Sequence, residues 1–541
     1  MKHFIRRRFQ HGPFVPIAAI GLTVLLVIGV CGLALRPAAD RPQSATVEPS
    51  EPARSIDEVG PQVTAFCGDC HGTPSPAGFP KEAWHAEVKK GYDFYFDSER
   101  TDLSPPDFDR VVAWFRTQAP DEVVVPLPAE SATTGKTSDK LRFRVSGVAA
   151  GRDDEPPPAV SFVTWCELSA ADRPGLLWCD MRSGAVLNAS PARSTPQLLY
   201  QAGHPAHAEL CDLDADGLTD LVVADLGSFS PSDHAEGKVV WLQRTADAAW
   251  RPVVIQAGLG RVADVQPGDF DGDGDIDLVV AEFGWRKTGR ILLLENLGNK
   301  PGDKGMPPEF RMRVLDSRHG TIHVPVADLD GDGRLDFVAL ISQEHETVVA
   351  FLNDGQGGFR KETLFAANEP TFGSSGIQLV DLDLDGDFDV LYTNGDTFDS
   401  FYLKPFHSIR WLENRGTYPF ADHFLAAMPG VHRALACDLD GDGDLDIAAC
   451  SLLPDQLFGR QKSSGYDSLL WLEQTAPGTF ARHSLEQGTY EHAALAAGDF
   501  DGDGDIDLAV GRFAEQAGLP PIAVWWNLRI DAGHAVDHAA P

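Results

Sequence analysis

Basic residues are scarce. The 541-residue chain has 45 Lys and Arg against 80 Asp and Glu, a formal net charge of −35. Such a deficit of positive charge excludes a nucleic-acid partner, which needs a basic face for the phosphates. Several motifs are also missing: there is no Ser-His-Asp elbow, no phosphate loop and no dinucleotide fingerprint. No independent catalytic constellation is therefore evident. Methionine is rare too, with five in all and none between Met1 and Met181. What is plentiful argues for a packed interior. A hydrophobic content of 43% with 30 Phe and 11 Trp is incompatible with an acidic disordered chain. The length suffices for two or three domains with a large core.

The N-terminus carries Lys2 and Arg6-Arg7-Arg8, followed by an uncharged apolar stretch from Phe14 to Leu35. That run is long enough to span a bilayer. The basic flank would stay in the cytoplasm, so the chain beyond Arg36 is expected outside it. The reading is an inner-membrane anchor through residues 14–35 with the bulk in the periplasm. A cleaved export signal is the alternative, although the run exceeds the usual signal core of about 7–15 residues. Residues 1–36 form this segment and 37–54 a Pro/Ala/Ser-rich linker. Residues 55–120 are a compact small domain, 121–139 a second linker, 140–529 a repeat region and 530–541 a tail.

The repeat region writes the pattern D-x-D-x-D-G-x-x-D six times, starting at Asp212, Asp269, Asp328, Asp381, Asp438 and Asp499. The spacings are 57, 59, 53, 57 and 61 residues, a period that signals stacked supersecondary units. An apolar run precedes each ladder and a strand-like run follows, such as 276–281 or 335–340. A third run ends in an aromatic or Leu pair, such as Trp411-Leu412, and a fourth follows a turn, such as 310–315. Four short strands per unit make a propeller blade. Before the first ladder, Cys166 and Cys179 stand 13 apart, as do Cys437 and Cys450 around the fifth ladder. The earlier segment therefore reads as a blade without its carboxylates, giving seven. No fourth strand remains after Trp525-Trp526. Leu141-Arg142-Phe143-Arg144-Val145, similar to Phe310-Arg311-Met312-Arg313-Val314, is expected to supply it and clasp the ring shut.

Alternating carboxylates beside a glycine bend suit a hard cation, and the six ladders hold 28 aspartates. Six divalent ions would offset roughly a third of the net charge. The ladders resemble the FG-GAP/VCBS repeats of integrin-like calcium-binding β-propellers. That resemblance implies up to six Ca2+, held by the aspartates at ladder positions 1, 3, 5 and 9. These are Asp212, Asp214, Asp216 and Asp220; Asp269, Asp271, Asp273 and Asp277; Asp328, Asp330, Asp332 and Asp336; Asp381, Asp383, Asp385 and Asp389; Asp438, Asp440, Asp442 and Asp446; and Asp499, Asp501, Asp503 and Asp507. Position 7 would add a backbone carbonyl, so its side chain is free to be Asp275, Arg334 or Leu218. The loops are not EF-hands, which need a Glu at position 12, where the second ladder has Val280.

In the small domain, Cys67-Gly68-Asp69-Cys70-His71 is the attachment signature of c-type haem. Two thiols would bond the porphyrin and His71 the iron. Ser55-Ile56-Asp57-Glu58 reads as a capping box leading to Val59, Val63 and Phe66, and Asp107 to Ala119 as a second helix. The segment resembles a small class I cytochrome c. A redox dithiol or half a zinc site are the competing readings, and no second Cys pair lies nearby. The scarcity of Met removes the common distal thioether. His85, in the helical-looking stretch Pro80 to Lys90, is the best substitute. A surface role for His85, with Lys89, Lys90 or an open position completing the iron, is the alternative.

The expected fold class is thus mainly β: a seven-bladed propeller with calcium loops, preceded by a small all-α cytochrome c-like domain and an N-terminal transmembrane helix. Cys166 with Cys179, and Cys437 with Cys450, are candidate disulfides or buried thiols, while Cys211 lacks a counterpart and should be free. His207, His323, His432 and His492, with Arg261, occupy the turns opposite the calcium loops; Asp225, Glu282 and Arg512 return to the same face. This polar mouth is a candidate docking or active site, or simply satisfies turn backbones. The functional expectation is an electron-transfer protein whose haem c carries electrons and whose propeller recognises a redox partner protein, a small molecule or a glycan. One alternative is an oxidoreductase with its substrate at the propeller mouth. Another is a ligand-binding or adhesion propeller with a haem sensor.

Overall fold

Apolar runs that face a neighbour on both sides need no alternation, and the strands of the repeat region follow that rule. The computed structural model describes residues 59–69, 71–125, 141–148, 156–168, 174–190, 195–298, 308–458 and 465–528. Strands 220–225, 277–282, 336–341, 389–394 and 446–451 are buried along their whole length. The outermost strands, such as Phe310–Asp316, alternate between exposed and covered positions because only one side meets protein. The strands form seven antiparallel sheets in meander order. They are blade 1 (160–201), blade 2 (205–259), blade 3 (262–316), blade 4 (321–366), blade 5 (374–427), blade 6 (431–487) and blade 7 (492–527). In blade 4 the inner strand breaks into Thr321–His323 and Val326–Ala327 around Pro325, which has no N–H to donate.

The expected clasp is present. Strand Phe143–Val148 pairs antiparallel with Ile522–Asn527, Phe143 opposite Asn527, and completes blade 7 from outside. Each adjacent pair of blades shares one apolar cluster. That between blades 3 and 4 holds Phe270, Val279, Ile291, Phe337 and Phe351. That between blades 7 and 1 holds Val160, Trp178, Val510's neighbour Ala509, Val524 and Trp526. The ring therefore closes on itself, with no bare sheet face between blades.

Helices α1 (Gly60–Cys67), α2 (Trp84–Asp97) and α3 (Phe108–Gln118) form the small module. Asp107 caps α3, its Oδ1 accepting from Arg110 N at 3.0 Å. Val63, Phe66, Phe79, Trp84, Val88, Val111 and Phe115 make the core, with Trp84 and Phe115 stacked at 3.9 Å between ring centres. The capping box at 55–58, the anchor at 14–35 and Cys70 lie outside the described residues. Among the described residues no helix is long and apolar enough to cross a membrane.

Of the two readings of the cysteine pairs, disulfides or buried thiols, the structure has thiols. Cys166, Cys179, Cys211, Cys437 and Cys450 are all thiols. Hairpin register explains this, because Cys166 lies opposite Gly175 while Cys179 lies opposite Phe162. Likewise Cys437 faces Asp446 and Cys450 faces Arg433. Four residues of strand separate each pair, about 13 Å at ~3.3 Å per residue, beyond the Cα span of a disulfide.

Candidate functional site

The ladders fold alike. The position-1 carboxylate accepts two backbone N–H groups from its own loop: Asp212 takes Asp216 N and Gly217 N, both at 3.0 Å. Asp438 and Asp499 do the same in their loops. The glycine at position 6 has φ between 86° and 102° in all six copies, a conformation only glycine adopts without strain. This wrap gathers oxygens of Asp269, Asp271 and Asp273 within 4.8 Å of one another, and likewise Asp328, Asp330 and Asp332, and Asp381, Asp383 and Asp385. In the first loop the gathered set is Asp212, Asp214 and Asp220.

The position-9 aspartates behave differently from the others. They are essentially buried, and their oxygens already serve the backbone. Asp277 accepts Phe270 N at 3.1 Å and Asn296 N at 2.7 Å; Asp507 accepts Phe500 N at 3.0 Å and Asn527 N at 2.7 Å. Burial pushes their carboxyls up, to about 6 in Asp220, Asp277 and Asp389 and to about 7 in Asp446 and Asp507, with the position-3 carboxylate adding to the rise. Asp271, Asp383 and Asp501 are also raised, by burial and by the neighbouring carboxylates. Asp214 Oδ1 is buried with no partner, while its Oδ2 accepts from Gln243 Nε2 at 2.6 Å. Mutually repelling, partly desolvated oxygens with an orphaned acceptor fit a hard divalent cation such as Ca2+.

In the small module Cys67 ends α1, partly buried against the core. His71 Nδ1 lies 2.6 Å from Gly72 O. A carbonyl only accepts, so Nδ1 is the donor and Nε2 is the nitrogen left to face a metal. Asp69 within the motif pairs with Arg100 at 2.6 Å, and Tyr92 and Tyr95 pin the loop before α3 through Pro106 O and Leu103 O. Of the motif, the Cys67 thiol and the His71 imidazole are the donor types an attached haem would use. His85 lies on the exposed side of α2, its ring edge-on to Phe108 at 5.3 Å, while Trp84 and Val88 turn inward.

This module docks on the propeller face opposite the ladder loops, the face made by the connections between blades. Ser75 N donates to Glu369 Oε2 at 2.8 Å, and Lys90 Nζ to Asp399 O at 3.2 Å. Arg286 lies over Phe94 at 4.4 Å. Lys404, 2% exposed, sits 3.0 Å from the centre of the Phe79 ring and 3.4 Å from Gly78 O. Burial lowers its ammonium to about 7.

The channel is lined more strictly than the histidine pattern suggested. The residue five before each ladder is His207, Asp264, His323, Gly376, Arg433 and Ala494. Each pairs at the equivalent register, as Phe162 does in blade 1. His207 and His323 converge on Asp264, at 3.3 and 3.7 Å, and His207 also meets Glu209 at 2.7 Å. Burial disfavours an ionised Asp264, yet the two histidines outweigh it and hold the carboxyl well below the usual range. Burial and Arg433 push His323 down to about 4, and burial with Arg433 pushes His432 down to about 3. Beside them lies a cavity of about 240 Å³ lined by Ser161, Gln378, Arg433 and Ala494 among others. His492 stands apart, bonded to Glu486 at 2.5 Å, and Arg261 reaches Phe229 O at 3.4 Å. Asp225 and Glu282 are buried as backbone and Arg290 partners rather than mouth groups. Asp264 and Arg433 escaped the sequence reading; the fixed offset of five would have found both.

Residues 195–280 and 328–392 match the FG-GAP-like repeat family, so the chain carries FG-GAP-like repeats on a seven-bladed propeller. No curated protein matches the chain. Among solved structures, a nidogen/laminin complex is similar at 11% identity, covering 49% of this chain and 80% of that one, with a TM-score of 0.31. BBS1N in complex with ARL6DN covers 73% and 97% at 11% identity and a TM-score of 0.40. A putative phosphatase from Bacteroides thetaiotaomicron covers 72% and 80% at 10% identity and a TM-score of 0.40.

Proposed function

We propose that this is an electron-transfer protein acting outside the cytoplasm, anchored in the inner membrane by residues 14–35 or exported after their removal. A haem c on Cys67, Cys70 and His71 would supply a reversible one-electron change at iron. The propeller, with up to six Ca2+ in its ladder loops, serves as the recognition platform for a redox partner protein or a small-molecule or glycan ligand. The observation that carries the reading is the Cys67-Gly68-Asp69-Cys70-His71 motif, with His71 Nδ1 committed to Gly72 O. The exposed side of α2 makes His85 available as a second axial ligand, which would lower the potential relative to His/Met ligation. A second reading, an oxidoreductase, draws support from the channel. Asp264, His207 and His323 form a buried polar cluster beside Arg433 and a cavity of about 240 Å³.

Expression with the c-type maturation machinery tests the proposal. A covalently coloured protein whose reduced spectrum shows a low-spin haem, lost in Cys67→Ala, is the expected result. Colourless protein after correct export would overturn it. Turnover of a substrate that fails in Asp264→Asn while the haem spectrum is unchanged would favour the oxidoreductase.

A further inference from the structure

The same propeller face carries a group of side chains that neither the ladders nor the haem motif uses. The connection from blade 3 to blade 4 presents His319, and the loop between the second and third strands of blade 4 presents Glu344 and His345. The two loops are stitched together: Gly320 O accepts from both Ser342 N at 2.8 Å and Ser342 Oγ at 2.9 Å. Gln343 and Glu346, which flank the pair, hold φ of 57° and 42°, a conformation unusual for residues with side chains. Glu346 in turn accepts from Gly373 N and Ser374 N of blade 5, at 3.1 and 2.9 Å. Glu344 and His345 are thus fixed from both sides.

One donor atom each of His319, Glu344 and His345 lies within 4.8 Å of the others. His319 Nε2 is 3.0 Å from Glu344 Oε1, and the imidazole rings are 5.3 Å apart. A His–Glu ion pair alone would not need the second imidazole. Yet His345 Nε2 is buried with no hydrogen-bond partner, a costly state for a ring nitrogen. The nearby guanidinium of Arg318 is committed to Asp316 at 3.0 and 2.8 Å. Asp233 adds negative charge beside His319.

We propose that His319, Glu344 and His345 bind a zinc-class divalent transition-metal ion. Two imidazoles and a carboxylate are the donors such ions prefer, whereas the oxygen-only ladders select hard cations. Side-chain exposures of 19% for His319 and 32% for Glu344 leave the group open to solvent, so a fourth position remains for water or a small ligand.

The test uses the full chain, stripped with chelator, resaturated with calcium and dialysed against micromolar Zn2+. Wild type is expected to retain one more zinc equivalent than either His319→Gln or His345→Gln, with calcium content unchanged. X-ray absorption at the zinc edge should show nitrogen scatterers at about 2.0–2.1 Å. If a histidine variant also loses calcium, Glu344→Gln serves in its place and should lose the same equivalent. Equal zinc in wild type and variants, or no zinc retained by wild type, overturns the proposal.

Discussion

Blades 1 and 6 are the same sheet built without and with an acidic loop. In blade 1 Cys166 lies opposite Gly175; in blade 6 Cys437 lies opposite Asp446 at the equivalent register. Asp446 takes Leu439 N at 3.3 Å and Gln474 N at 2.8 Å, and the Gln474 side chain reaches Leu445 O at 3.1 Å. Among the described residues of blade 1 a different link joins the second and third strands, Asn188 Nδ2 to Leu176 O at 3.2 Å. Both blades nevertheless form four strands. The strands do not need the ladder. What the ladder adds is a buried carboxylate that fastens loop to third strand, and beside it a cluster of carboxylates.

That distinction can be broken experimentally. The largest effect is expected from calcium removal. Each occupied loop contributes about 2.7 kcal/mol when calcium is at a hundredfold excess over its Kd. Chelation should therefore lower the Tm sharply, and an unchanged Tm in EDTA would mean the loops hold no ion. Next comes Asp277→Ala, which leaves two buried N–H groups unpaired and should cost about 2–4 kcal/mol even without calcium. Asp273→Ala, in an exposed position, should cost under about 0.5 kcal/mol in EDTA and matter only when calcium is present. Equal costs for the two in EDTA would erase the difference between tie and ion site. In blade 1, Gly175→Ala would bring a Cβ within 3.0 Å of Asn188 Nδ2 and 3.1 Å of Ala189 O. Denaturant titration should show a loss of about 1–3 kcal/mol, independent of calcium.

The smallest and most diagnostic effect is in pH. The raised position-9 carboxyls mean that the metal-free folded chain holds protons which the unfolded chain has released between about pH 4 and 7. Metal-free stability should therefore fall as pH rises through that window. Calcium needs the ionised carboxylates, so its stabilisation should grow over the same range. Melting curves in EDTA and in calcium should diverge from pH 5 to 7; parallel curves would contradict the assignment.

Much of this was legible in the residue order because the signals are local. The six ladders, the blade count and the clasp from Phe143 all follow from short patterns repeated at a near-fixed spacing. So does α3, read from Asp107 and the stripe Val111, Val112 and Phe115. What failed depended on register or on distant loops. Cys166 and Cys179 look paired in sequence but sit at opposite ends of their hairpin. Asp264 and Arg433 were hidden because the eye followed histidines, two of which fall one and two places off the channel position. The meeting of His319 with Glu344 and His345 depends on how two loops cross, which no periodicity encodes. The role of position 9 as a tie to the backbone appears only when its buried N–H partners are seen.

The strand that closes blade 7 lies downstream of the helical module, and its partner, Ile522–Asn527, is the last strand among the described residues. A growing polypeptide therefore finishes the module that bears Cys67 and His71 while the wheel is still open, and residues 143–148 must wait, unpaired, for nearly the whole remaining length to appear. An early stop in translation would release a finished front half with an unsealed edge.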